Sequence, residues 1–487
     1  MMLHPSHVPS ISSTARIRLA GTLAALIFVT GCAASTTFAP YPNKITPYIQ
    51  NLQTKKQIDF SRSLLNECRS SDRILYSMER GRIAQILGNF DMSLQDFMLS
   101  IEAIKEKEDR ALVSASGIGA QLAAVSLNDN AIPYEGEGYE RVMLHHFQAM
   151  NYLGKRDLEG AGVEIRRANA EQEDALRRFE RDLEKARREA EEKQIDANPD
   201  NPVLLQQYAQ LDEVAGSVKN SFQNAYTFYL SGIVYELIHQ PGDAYIDYKK
   251  ALEIFPENMT LQRDVFRLAR QLGMTQDLED LKGRFPLVAQ GVKDDLSVPA
   301  GELVVLFEDG FVPQKQEMKI PFPVPRVGVV AMAFPMYQGR WVPPMPLYVA
   351  DGGRQIGRTE PVCDIRALAV KSLKEKVPAL AIRQTIRAVS KGATVKMAEE
   401  KLGPLGSFGA GLWNLLSENA DLRSWITLPD NAQIMRVRLP PGSYWLSLQH
   451  DGTAAASEVG VEIREGGKTI LRVVRAGSEI YSAVMSF

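Results

Sequence analysis

Few side chains in this 487-residue chain are spaced for covalent or proton-transfer chemistry. It has three cysteines, Cys32, Cys68 and Cys363, with no Cys-x-x-Cys pair, too few for a disulfide framework. Whether Cys68 and Cys363 pair is left open by the sequence. Of six histidines, His4 and His7 lie in the N-terminal leader, while His239 and His450 fall near turns. His145 and His146 are neighbours in a helical pattern, about 100° apart, so both cannot face one metal. No His-Glu-x-x-His and no Gly-x-Ser-x-Gly elbow is present. Gly403, Gly406, Gly409 and Gly411 are not followed by the Gly-Lys-Ser/Thr of a phosphate loop. Carboxylates are abundant but concentrate on a charged helical stretch, where solvation accounts for them. A glycosidase-like carboxylate pair stays open. The reading is a non-enzymatic chain with no metal and no cofactor.

The cysteine with a readable chemistry is Cys32. Arg16 and Arg18 precede an apolar run, Leu19–Val29, then Thr30 and Gly31. Charged start, short apolar run and small residues make 1–31 an export signal. The Val29-Thr30-Gly31-Cys32 junction resembles the bacterial lipobox. That resemblance implies diacylglycerylation of Cys32, cleavage before it, and a membrane anchor of two or three acyl chains. The alternative is an ordinary secretory signal with an incidental cysteine. Ala33 in place of Asp implies sorting to the outer membrane, facing the periplasm. Residues 32–54 read as a tether. Beyond residue 31 no apolar run approaches the ~18 residues that a membrane helix needs. A net charge of -3 gives no electrostatic case for nucleic acid.

Residues 55–290 are helical in pattern and repeat. Ala225–Asn258 places Gly232, Tyr235, Ala244, Tyr248, Ala251 and Pro256 where tetratricopeptide repeats need close helix contact. Val142–Glu173 repeats the spacing with Ala149, Tyr152, Ala161 and Ala168, and Ile74–Lys105 with Gly81, Ser93, Phe97 and Ser100. The competing reading is a non-repetitive bundle. In such an array the first helix of each pair lines a concave face. That register puts Met78, Arg82 and Gln85, then His146, Met150 and Leu153, then Tyr229, Ile233 and Glu236 on one groove. Met and Tyr suit an adaptable partner surface. The alternative is that another helix of this chain fills the groove.

Two further segments must be placed. Within 171–219, Leu176, Phe179, Leu183, Ala186 and Ala190, then Leu204, Tyr208, Leu211, Ala215 and Val218, step by three and four around a turn at 196–202. This predicts an inserted antiparallel coiled-coil hairpin projecting from the array, its charged surface mainly a solvated face. Residues 297–487 turn Pro- and Gly-rich, with strands expected at 302–307, 327–334, 346–350, 434–439, 444–449, 459–464 and 470–475. This suits a small β-sandwich with a helical insertion over 363–420. The class is α+β multidomain: a tetratricopeptide-like α-solenoid followed by the β-rich domain.

The blocks Asn128–Val142 (NDNAIPYEGEGYERV), Ala149–Leu153, Val163–Asn169 and Ala420–Pro429 (ADLRSWITLP) resemble a family of uncharacterised proteobacterial lipoproteins with tetratricopeptide repeats. The resemblance spans most of the mature chain and implies a periplasm-facing lipoprotein; it carries no catalytic residues. Within the first block Pro133 ends one helix, Gly136 and Gly138 free the turn, and Glu135, Glu137 and Glu140 read as capping carboxylates. The expectation is a lipid-anchored scaffold presenting its groove to an envelope protein, or else a component that binds or modifies an envelope polymer such as peptidoglycan or exported polysaccharide.

Overall fold

The computed structural model describes residues 41–59, 64–114, 133–195, 202–291, 299–324, 328–339, 341–402, 419–452 and 456–487. Helix and sheet are both extensive, as an α+β chain requires. Four helix–turn–helix pairs follow one another: α2 (Arg73–Ile86) with α3 (Phe90–Ser114), α4 (Gly138–Gly154) with α5 (Leu158–Glu192), α8 (Ala225–Leu237) with α9 (Pro241–Ile254), and α10 (Met259–Gln271) with α11 (Thr275–Arg284). Their starts are fixed locally. Asp157, Asn224 and Asn258 each accept a backbone N–H three residues on, at 2.8, 3.0 and 2.8 Å. The Glu137 and Glu140 side chains form a reciprocal capping box at the head of α4, as expected of them.

Small residues let each pair close. A methyl added at Gly81 would stand 2.7 Å from the Phe97 ring, and one at Gly232 would run into Tyr248. Ala149, Ala161, Ala168, Ala244 and Ala251 are fully buried. The spacing that marked three repeats therefore marks real helix–helix contacts.

The β-rich half holds a five-stranded sheet in the order β11-β10-β1-β7-β6 and a four-stranded sheet in the order β5-β4-β8-β9. Their ranges are β1 Gly301–Asp309, β4 Tyr348–Asp351, β5 Arg354–Arg358, β6 Glu360–Asp364, β7 Asn431–Leu439, β8 Gly442–Gln449, β9 Ser457–Ile463, β10 Lys468–Ala476 and β11 Glu479–Ser486. A separate hairpin pairs β2 (Lys315–Val324) with β3 (Gly328–Tyr337). Leu303, Val305 and Phe307 of β1 pack with Leu446, Leu448, Val461 and Ile463 between the two sheets. Val304 and Leu306, on the opposite face of the same strand, belong to a core shared with the helices. The five-stranded sheet is thus covered on both sides, by the second sheet and by the helical half.

Three expectations change. Residues 41–53, read as tether, form α1 (Tyr41–Gln53), with Tyr41, Ile45, Ile49 and Leu52 buried. That stripe has helical spacing, and it docks against α2 and β10. The hairpin is not self-contained. Its first arm is the end of α5, but Ala186 and Ala190 pack on Ala379, Ile382 and Ile386 of α13 (Ile365–Leu402). Its second arm breaks into α6 (Pro202–Tyr208), a 3-10 turn and α7 (Asp212–Gly216), whose Leu204, Tyr208, Leu211 and Ala215 enter the main core. A stripe of alanines accepts any apolar ridge of matching pitch, and the helical insertion of the β-rich half supplies it. The side chains of Leu176 and Phe179 lie outside the described residues, as do the 128–132 part of the family block and Gly403–Gly411.

Candidate functional site

The groove expected of these nine residues is closed. Met78, Arg82, Gln85, His146, Met150, Leu153, Tyr229 and Ile233 are each no more than 1% exposed, and Glu236 is nearly as buried. Arg82 and Glu236 meet the five-stranded sheet at Glu308 and Arg436, and Arg82 also reaches the Thr427 carbonyl. These nine residues are therefore an internal interface, which corrects their reading as a partner-accessible surface. The reason is the sheet. Its strand β1 is apolar on both faces, so the side away from the sandwich core must be covered, and the helical half covers it.

Charged groups are sealed into this interface in three sets. Glu308 of β1 accepts from Arg472 of β10 through two bonds of 3.0 Å, from Tyr226 at 3.0 Å, and from Arg82 of α2. Burial alone would raise the Glu308 carboxyl, but the Arg472 and Arg82 charges outweigh it and hold the pKa down at about 2. The Arg82 guanidinium also lies 4.0 Å from the Phe147 ring centre. Gln85 ties α2 to α4 by donating to the Phe147 carbonyl at 2.7 Å and to Asn151 at 2.6 Å. His146 stacks on Tyr226 at 4.4 Å, and its burial pushes the imidazole down to about 3, so it stays neutral.

A second set lies along the same sheet face. Arg436 of β7 forks onto Glu236 at 2.8 and 2.9 Å and reaches Glu302 at 2.5 Å. Lys468 joins both carboxylates, while Arg267 donates to Glu236 at 2.9 Å. Burial would raise Glu302 as well, yet Arg436 and Lys468 bring it to about 2.

The third set unites two of the family-like blocks. Glu140 accepts the backbone N–H of Trp425 at 2.8 Å, and Glu79 accepts that of Ile426 at 2.8 Å and the Thr427 hydroxyl at 2.5 Å. Tyr134 and Tyr41 donate to Glu140 and Glu79 respectively. Trp425, fully buried, meets the rings of Phe97 and Phe147 edge-on. With no cation against it, Glu79 is pushed by burial up to about 7, although its hydrogen bonds pull the other way. Sequence reasoning assigned Glu140 a cap and missed Glu79. Nothing in local spacing marks a helical glutamate whose partner is about 350 residues away.

The array also carries an open recess that the sequence did not suggest. Its volume is about 660 Å³, and residues 169–177, 219–223, 228 and 250–254 supply its lining, all from the helical half. Among the described residues no cluster of His, Cys, Asp and Glu could hold a metal ion. Cys363 is buried, Cys68 is half-buried, and they are not bonded to each other. Cys32 lies outside the described residues. No described helix is long and apolar enough to cross a membrane. Comparison with models of known protein families, with curated proteins and with solved structures found no match to this chain.

Proposed function

We propose that the chain is a bacterial envelope lipoprotein, held to the outer membrane through acyl chains on Cys32 and facing the periplasm. Its helical half is read as a tetratricopeptide-like array, and its work as that of a protein-binding scaffold in envelope assembly or maintenance, without catalysis. One observation carries the scaffold reading. Side chains of the array hold non-helical backbone at several places: Glu79 and Glu140 at residues 425–426, and Asn258 at the Pro361 carbonyl, 2.8 Å away. Such a surface is chemically equipped to hold polypeptide.

A Cys32→Ala variant is expected to lose labelling by an alkynyl palmitate and to leave the outer-membrane fraction. Retained label with outer-membrane flotation would sink the anchor. For the scaffold, crosslinking in intact cells followed by purification should yield a defined protein partner.

A second reading, binding of an envelope polymer, is favoured by Trp445. Its indole is 63% exposed on the outer face of β8, lies over Gly460 and donates to Glu458 at 2.7 Å. A flat exposed ring among hydroxyls and carboxylates suits a sugar face. Sedimentation with purified sacculi decides for this reading if the protein is retained and Trp445→Ala is not.

A further inference from the structure

The recess beside α5 combines space with polar groups whose partners are missing. Gln172 is 3% exposed; its Oε1 accepts the Asn224 N–H at 2.7 Å, which fixes the amide and leaves Nε2 with no partner among the described residues. One helical turn earlier, Asn169 donates from Nδ2 to Asp247 at 3.0 Å, and its Oδ1 too is without a partner among the described residues. Both residues line the recess. The floor therefore holds one oriented amide donor and one oriented amide acceptor, at i and i+3 on one helix face. Buried groups of this kind are rarely left unmade, so the arrangement points to something that supplies the missing pair.

The walls and rim narrow the chemistry. Phe222 and Phe228 give apolar surface, and the Lys250 ammonium lies 5.2 Å from the Phe228 ring centre. Lys219, Lys250 and Arg177 stand against Glu173 and Glu253. Lys250 is 3.5 Å from Asp247 and Arg177 pairs with Asp174, so the rim holds no cationic excess and the selectivity falls to the amides and the aromatic walls.

We propose that this recess binds an extended segment of a partner polypeptide bearing a large apolar side chain. A peptide unit offers both a carbonyl for Gln172 Nε2 and an N–H for Asn169 Oδ1. The array meets backbone in this way elsewhere: Gln172 Oε1 takes an N–H, as Glu79 and Glu140 do, and Asn258 takes a carbonyl. The aromatic walls of Phe222 and Phe228 receive the apolar side chain. The inference rests on the scaffold reading in taking the ligand to be protein; it does not depend on the anchor.

The test is a selection of random dodecapeptides displayed on phage against the purified mature chain, followed by fluorescence polarisation with the selected synthetic peptides. Expected are peptides with an aromatic or large aliphatic residue whose affinity falls about tenfold or more in Gln172→Leu and in Asn169→Leu. Phe222→Ala leaves both amides in place and should weaken the same peptides, which keeps the test valid if an amide variant fails to fold. Peptides that bind all three variants as tightly as wild type would overturn the recess as the site while leaving the scaffold reading standing. No selected peptide, with soluble chito-oligosaccharides bound instead, would overturn both in favour of a glycan.

Discussion

Glu308 and Glu79 are both fully buried carboxylates in one interface, and they behave oppositely. Glu308 lies between two guanidiniums and is held ionised, with its pKa at about 2. Glu79 meets a tyrosine, a threonine hydroxyl and a backbone N–H, and burial lifts it to about 7. The depth of burial is the same; the difference is whether a fixed cation shares the site. Hydrogen bonds from neutral donors offset only part of the desolvation of a charge. One centre is thus a permanent ion cluster, and the other can take up a proton near neutral pH.

Both centres exist only while the groove is closed, so opening it should erase the contrast altogether. Met150→Asp combined with Tyr229→Asp places two unpaired carboxylates at positions with no exposure. Each costs several kcal/mol, on the order of the whole stability of a domain. The expected outcome is failure to accumulate, read from expression and thermal melting. A stable double variant would mean that the helical face and the sheet separate in solution.

Next in size is removal of the shared acid. Glu308→Ala leaves Arg82 and Arg472 buried without their counter-charge and should destabilise by about 3–5 kcal/mol, measured by urea unfolding. Replacing all three together, with Glu308→Leu, Arg82→Met and Arg472→Met, should recover most of that loss, because the net worth of a buried cluster is small. If the triple variant is as unstable as Glu308→Ala, packing rather than charge explains the site.

How much of this was readable from the sequence follows from the range of each interaction. The helix pairs were readable because Gly81, Gly232 and the buried alanines act within some 30 residues, where spacing is visible. That Met78, His146 and Tyr229 each lie on a helix face that packs followed from the same register. What closed that face did not, although the apolar doublets of β1 already require cover on both sides. Strand β2 was missed because Pro321 and Pro323 break the usual strand composition, and β11 because Ser482 and Ala483 dilute its apolar pattern. The alanine stripe of α5 was assigned to the wrong partner, since small residues specify close approach and not with whom.

Gly232→Ala probes the pairing that underlies both centres without touching a charge. The added methyl would collide with the Tyr248 ring, whose hydroxyl donates to Glu236 at 2.6 Å in the second ion cluster. The ring cannot withdraw without breaking that bond, so a loss of about 3 kcal/mol is expected, at the upper end for overpacking. Adding Tyr248→Leu to the variant should relieve the collision, and a double-mutant cycle of melting free energies checks the coupling.

The smallest effect is the most specific. Glu79 has a folded pKa of about 7 against 4.5 for an unperturbed glutamate, so between these values the folded state binds more protons than the unfolded one. Its contribution to stability therefore falls as pH rises from about 4.5 and is fully unfavourable above about 8. Glu79→Gln removes the titration and keeps an acceptor for the Ile426 N–H and the Tyr41 hydroxyl, while its new amide must turn the Thr427 hydroxyl around. The variant should match wild type near pH 5 and exceed it by about 2–3 kcal/mol near pH 8.5, since the cost of that rearrangement is the same at both pH values and only the linkage gain grows. His146, lowered by burial, remains in each protein and cancels in the difference. Glu140, raised by burial and by the Glu137 charge, repels the ionised Glu79, and losing that repulsion adds to the gain at the higher pH. Paired urea titrations at the two pH values give the comparison directly. A variant less stable than wild type by the same amount at both would mean that Glu79 is a constant structural acceptor, and that Glu308 and Glu79 differ in name only.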